Sequence, residues 1–307
     1  MIMLILLGAV AGSLIPVQTS INSRLAVFTR SVFLSSFYSF LVGTILLIFF
    51  NLFANPEKLL PSYIISQDFS YIWFVGGLMG VIYLTGNVLL LPKIGAALTV
   101  IMTVAGQMII GLMVDTFGWF DAEIQPINIF RILGIAVMIA GIIFMNYKKK
   151  SARTAAHSSN AWLALGLFTG AMPPIQTAVN SALRHEVDSF FFASLISFII
   201  GTAALLMLSL IIAKHISFVT YDKTIGKIKP WHFIGGILGA LYVTTNIILM
   251  PHLGATLTLM TVIFGQMVMG LLIDHLGLLG IHKNKVDARR VIGVIMILSG
   301  IILLQIF

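Results

Sequence analysis

Gln18 and Asn22 stand four residues apart, and so do Gln176 and Asn180. This spacing puts the two carboxamides of each pair on one helix face, one turn apart. A carboxamide carries a donor and an acceptor together, so such a face suits a polar but uncharged group. Tyr83 and Asn87 make a second pair with the same spacing, repeated as Tyr242 and Asn246, and here a hydroxyl and a π face join the amide. Thr99, Thr103 and Gln107 form a third polar stripe. Its copy keeps Thr258 and Gln266 but has Val262 in the middle, with Thr261 beside it. Each of these sets could line a substrate path, or could serve only as hydrogen-bonding glue between helices. For the Tyr–Asn pairs, a position near the middle of an apolar run argues against an interfacial aromatic belt.

Pro16 lies between these groups and the chain start, and Pro173 and Pro174 lie at the matching place before Gln176. A proline removes a backbone donor and frees a carbonyl one turn earlier. Inside a bilayer that carbonyl needs a partner in protein or in a water-lined cavity, so helix breaks are expected at Pro16, Pro173 and Pro174. Charge is absent where it would matter most: no Asp, Glu, Lys or Arg falls in the middle third of any apolar run. A strongly charged substrate would need an opposite charge there. The expected ligand is therefore a small neutral, zwitterionic or weakly cationic organic molecule, the last helped by aromatic faces. Asp115 and Asp274 end their apolar runs and are expected as solvated helix ends at the water interface. All seven histidines follow residue 150, with no pair at metal-ligand spacing; His252 stands out because it falls in a tight hairpin. With no cysteine, no phosphate-binding loop, no paired buried carboxylates and no activated nucleophile, neither a cofactor nor an enzymatic reaction is expected.

These groups need helices in lipid to hold them. Of the 307 residues, 59% are hydrophobic and 9% charged, with a mean hydropathy of +1.06. A soluble domain carries about 25% charged residues. Ten segments are long and apolar enough to span a bilayer: 2–23, 32–53, 71–91, 93–114, 128–147, 161–182, 190–213, 232–250, 252–273 and 289–307. The third and fourth, and the eighth and ninth, are joined by almost no loop, at Pro92 and Pro251. The N-terminal segment lacks a positive start and has an internal twin, so it reads as a mature helix and not as a cleaved leader.

The chain is written twice. At an offset of 158, Gly8, Gly12, Pro16, Gln18, Asn22, Leu25, Ser39, Phe40, Gly43 and Thr44 return as Gly166, Gly170, Pro174, Gln176, Asn180, Leu183, Ser197, Phe198, Gly201 and Thr202. At 159, Gly76, Gly80, Tyr83, Asn87, Gly106, Gln107, Asp115 and Arg131 return as Gly235, Gly239, Tyr242, Asn246, Gly265, Gln266, Asp274 and Arg290. The G-x-x-x-G pairs read as close-packing faces. The expected organisation is an all-α membrane protein of ten transmembrane helices: a first five-helix repeat over 1–147, a cytoplasmic linker over 148–160 and a second repeat over 161–307. Five is odd, so the second repeat must enter the membrane from the opposite side, as an inverted-topology repeat. Loops on one side hold 15 of the 18 Lys and Arg residues, which puts the linker in the cytoplasm and both termini outside. The basic residues lie in loops and make no basic face, so nucleic acid is excluded as a partner despite the net charge of +8.

The motif Gly12, Pro16, Gln18, Asn22, Leu25, followed by Ser39, Phe40, Gly43, Thr44, resembles the YdcZ-like family of inner-membrane exporters within the drug/metabolite transporter superfamily. Tyr83, Asn87, Pro92, Gly95 and Gly106–Gln107 extend the resemblance over nearly the whole chain. Many members are single five-helix units that pair in opposite orientations; this chain looks like a fused pair, so one chain suffices and a homodimer is also compatible. The resemblance implies an efflux-type carrier in a bacterial-type inner membrane. Unlike small multidrug members of that superfamily, this chain has no acidic residue inside its first helix, which argues against simple proton antiport there. The residues expected to bind substrate are Gln18, Asn22, Gln176, Asn180, Tyr83, Asn87, Tyr242, Asn246, Gln107 and Gln266. The competing reading from another class is a non-transporting membrane scaffold or sensor.

Overall fold

The computed structural model describes residues 1–146, 160–214, 216–223, 226–280 and 287–306, so nearly all of the expected linker lies outside the described residues. Helices dominate: α1 (Ile2–Thr29), α2 (Val32–Ala54), the short α3 (Pro61–Ile65), α4 (Ile72–Phe117), α5 (Ile129–Asn146), α6 (Asn160–Val187), α7 (Phe190–Leu208), α8 (Gly235–Leu276) and α9 (Ala288–Ile306). A two-residue antiparallel ribbon, β1 (Tyr221–Asp222) with β2 (Gly226–Lys227), lies in the α7–α8 connection. Five stretches among the described residues are long and apolar enough to cross a membrane: Ile2–Thr29, Val32–Ala54, Ile72–Leu90, Phe190–Ile212 and Pro230–Ile273. α6 is not one of them. Its polar residues are buried against other helices, where lipid does not meet them.

Local sequence sets the turns in duplicate. Ser31 caps α2 by accepting from Leu34 N, and Ser189 caps α7 by accepting from Phe192 N. Each serine follows a residue in the left-handed region, Arg30 or Asp188. A side-chain acceptor at the N-cap satisfies one of the four free donors of a helix start.

α4 and α8 are each too long for one span, and each folds back. A Cβ on Gly8 would lie 2.3 Å from Thr261 Oγ1 and 3.3 Å from Leu249 Cδ1. Twelve residues of straight helix cover about 18 Å, so both can reach Gly8 only if α8 doubles over between them. The break is at Gly254, with φ 71° and ψ 171°, just after Pro251. In the same way a Cβ on Gly166 would meet both Met102 and Leu90 of α4. The fold-back of α8 falls at Pro251 to Gly254 and that of α4 between Leu90 and Met102, the two places where the sequence puts a short-looped hairpin.

The prolines behave otherwise than expected. α1 runs through Pro16, and α6 through Pro173 and Pro174, with helical backbone on both sides. A proline costs one donor, and these helices lie against α8 and α4, whose packing holds them in one piece. Among the described residues the break in α8 is made by Gly254, and none is made by these three prolines.

Contacts between the two repeats are reciprocal. Gly43 packs on the Phe198 ring and Gly201 on the Phe40 ring. Gly12 meets the carbonyl of Val262 and Gly170 that of Thr103; Gly265 meets the carbonyl of Ala9 and Gly106 that of Leu167. Thr44 and Thr202, equivalent residues, hydrogen-bond each other at 2.9 Å. α2 and α7 run antiparallel, because Asn51 near the end of α2 bonds the carbonyl of Phe191 at the start of α7. α5 and α9 do the same, with Gly141 on Gly293 and Gly300 on Gly134. Self-complementary contact of this kind is the signature of two-fold symmetry.

The cores cut across the repeats. One buried cluster joins Phe40 and Leu47 of α2, Val81 of α4, Phe198 and Leu205 of α7, and Tyr242 and Ile247 of α8. A second joins Val104 and Met108 of α4, Met138 and Ile142 of α5, Leu259 and Ile263 of α8, and Ile297 and Ile301 of α9, and a small third one joins Val114 of α4, Ala178 of α6, and Met250 and Ala255 of α8.

Candidate functional site

The four carboxamides of α1 and α6 are buried, with 7, 3, 6 and 1% of Gln18, Asn22, Gln176 and Asn180 exposed. They dock onto the glycine pairs of the other repeat. A Cβ on Gly235 would stand 2.2 Å from Asn22 Oδ1, and one on Gly239 2.5 Å from Gln18 Nε2. Gly76 faces Asn180 Oδ1 and Gly80 faces Gln176 Nε2 in the same arrangement. The absence of a side chain at each glycine makes this approach possible. On the other side, Asn22 Nδ2 donates to Ser39 Oγ at 3.1 Å and Asn180 Nδ2 to Ser197 Oγ at 3.2 Å. Each asparagine thus ties its own helix to the next one and seats it on the opposite repeat, which is the glue role. Its Oδ1 has no hydrogen-bond partner in the protein.

Tyr242 lies in the buried cluster that Val81 of α4 joins, with Leu84, the neighbour of Tyr83, packed against it. Tyr83 and Asn87 are half-buried, whereas Tyr242 and Asn246 are buried. Asn87 Nδ2 donates to the carbonyl of Tyr83 at 3.0 Å. The Tyr242 and Asn246 side chains are within reach of each other, yet neither the Tyr242 hydroxyl nor Asn246 Oδ1 completes a well-formed hydrogen bond, and Thr169 Oγ1, whose side chain lies against Gly86 beside Asn87, has no protein partner. Gln107 is 1% exposed with both amide atoms unpartnered, and Gln266 Nε2 is also unpartnered. Thr103 bonds back to the carbonyl of Thr99 at 2.9 Å, so this part of the polar stripe is spent on its own helix. A buried polar atom left without a partner costs about 1–3 kcal/mol, and others of this kind lie elsewhere in the molecule, at Asn51 Oδ1, Thr116 Oγ1 and Ser209 Oγ.

Asp115 corrects the sequence reading. It was expected at the water interface, yet it is fully buried. Its oxygens accept from Ala255 N at 2.7 Å and Thr256 N at 2.9 Å, the first donors after the Gly254 break. Arg131 Nη2 donates to the same carboxylate at 3.1 Å. Arg131 also donates to the backbone carbonyl of Gln125 at 2.8 Å and to its side-chain carbonyl. A helix that restarts inside the protein needs its donors capped, and the carboxylate supplies the cap where the helix dipole favours it. The recurrence of Asp115 and Arg131 as Asp274 and Arg290 was the available signal for this cluster; Gln125 gave none. Beside it opens a cavity of about 200 Å³, lined among others by Phe120, Glu123, Ser181, His185 and Gly254. His252 is exposed at the same fold-back.

A sequence model of the family described as "Putative inner membrane exporter, YdcZ" matches residues 3–144 and again 161–303. The chain belongs to this YdcZ family. The two matches divide it into two copies of the family's unit, and the family's description makes it a membrane transport protein. No curated protein matches the chain. One solved crystal structure of a protein aligns over 99% of this chain and 96% of its own length, with a TM-score of 0.63 and 16% identity, a likeness of fold.

Proposed function

We propose that the chain is a secondary-active exporter of a small neutral, zwitterionic or weakly cationic organic molecule, working by alternating access between two inverted five-helix repeats that make ten spans. The observation that carries this reading is the set of buried donors and acceptors that the protein leaves open on the repeated polar positions, among them Asn246 Oδ1, Gln266 Nε2 and both amide atoms of Gln107. Gln107 and Gln266 complete the polar lining, and Gln18, Asn22, Gln176 and Asn180 border it. Reciprocal antiparallel contacts support the inverted arrangement, since an axis that exchanges two antiparallel helices is perpendicular to them. Nothing charged lies among these lining residues, which supports an uncharged, zwitterionic or weakly cationic cargo.

The test is a thermal-shift screen of metabolites on purified protein, followed by flux of each hit in liposomes. A ligand that binds the folded state raises its apparent stability. A hit whose shift and flux are both lost in Asn246→Ala, with the protein still folded, is the expected result. No hit and no flux would favour a non-transporting scaffold.

A further inference from the structure

Asp115 joins three segments through one side chain. It sits at the end of α4 in the first repeat, it caps Ala255 and Thr256 of α8 in the second, and it is held by Arg131 of α5. All of this lies against Gly254, where a Cβ would stand 2.5 Å from Gln125 Nε2 and 3.3 Å from Asp115 Oδ1. The part of α8 beyond Gly254 begins a new hydrogen-bond ladder, so it can swing about this residue without breaking its own helical bonds. Hinges are residues that absorb a large backbone change, and glycine does so at little steric cost. At this end the swing is opposed by the bonds to Asp115, which are charge-assisted and few, and further along by the packing of Leu259 and Ile263 against α4, α5 and α9. The adjoining cavity has Gly254, Pro251, Phe120 and Ala122 on the side of the cluster and Ser181 and His185 on the side of α6. Movement of the fold-back would therefore change the width of that opening.

Resting on the carrier reading above, we propose that Asp115 and Arg131 are positioning residues of the transport cycle. They latch the fold-back of α8 against α4 and α5 while this face is closed, and they part when it opens.

The chain has no cysteine, so single reporters can be read cleanly. Ser181→Cys reports the cavity wall, and Ser23→Cys, its counterpart in the first repeat, reports the opposite end of the bundle. A membrane-impermeant maleimide is applied to each face in turn, in the parent background and with Asp115→Asn or Arg131→Gln. The expected result is labelling at position 181 faster by about tenfold, the scale of one lost charge-assisted bond, with labelling at position 23 slowed. A rise at both positions would mean a loosened fold and would overturn the latch. If both cysteines react in the parent protein and neither variant shifts them, the latch is wrong and the carrier reading stands. If neither cysteine reacts in any background, the carrier reading falls and the latch with it. Should Asp115→Asn fail to fold, Arg131→Gln decides alone, because it leaves both backbone bonds of Asp115 in place.

Discussion

Single side chains in this protein separate into those with partners and those without. Asn22 has Ser39 on one side and Gly235 on the other, so Asn22→Ala removes a buried bond and leaves Ser39 open. A loss of about 1–2 kcal/mol is expected, and a similar loss for Asn180→Ala, measured by chemical unfolding in detergent. Tyr242 is the opposite case. Its hydroxyl is buried beside Asn246 without a well-formed hydrogen bond, so Tyr242→Phe should change stability by less than about 1 kcal/mol while weakening the ligand-induced thermal shift. If Tyr242→Phe destabilised the protein and spared ligand binding, the hydroxyl would have a structural role. Neither outcome could be read from the Tyr–Asn spacing, which is the same in both repeats.

At the scale of helices, glycine decides how closely they approach. A Cβ on Gly12 would lie 2.0 Å from the backbone carbonyl of Val262, which no side-chain adjustment can relieve. Gly12→Ala should therefore push α1 off α8, at about 1–3 kcal/mol. Gly254→Ala is expected to cost about as much for a different reason, because φ 71° with ψ 171° is a backbone region that side chains exclude. Gly270 has nothing within 4 Å, so Gly270→Ala should be neutral to within about 0.5 kcal/mol. Thermal midpoints of the three variants in one detergent check the ranking. The repeated G-x-x-x-G pattern was legible as a packing face before any contact was known. That the pairs at 76/80 and 235/239 receive the carboxamides of the other repeat was not, because the partners are about 100 residues or more away in sequence.

For the whole molecule, duplication sets the plan and interdigitation sets the cooperativity. Each buried cluster draws on both repeats, so neither repeat owns a complete core. Residues 1–147 and 161–307, expressed as separate chains, are expected to be unstable alone and to co-purify when made together. Recovery of either half as a folded species with native-like thermal unfolding would contradict this. Orientation is tested with a cysteine at Ser62 and another at Ser151. The first should react with external reagents and the second only with reagents that reach the cytoplasm; labelling of both from one side would sink the inverted topology.

The amino-acid sequence by itself determined the solvent, the duplication and the candidate residues. Composition rules out burial of so much apolar surface in water, and a repeat is visible wherever both copies keep the same types at one offset. Only the tertiary structure decided what those residues do. Pro16, Pro173 and Pro174 were expected to break helices and do not, because packing on α8 and α4 holds the helices through them. Asp115 ends an apolar run and looked solvated, yet it is buried, because the fold-back at Gly254 brings two unsatisfied backbone donors and Arg131 to it. Burial and hydrogen-bond pairing depend on which distant segments meet, and a linear pattern does not carry that information.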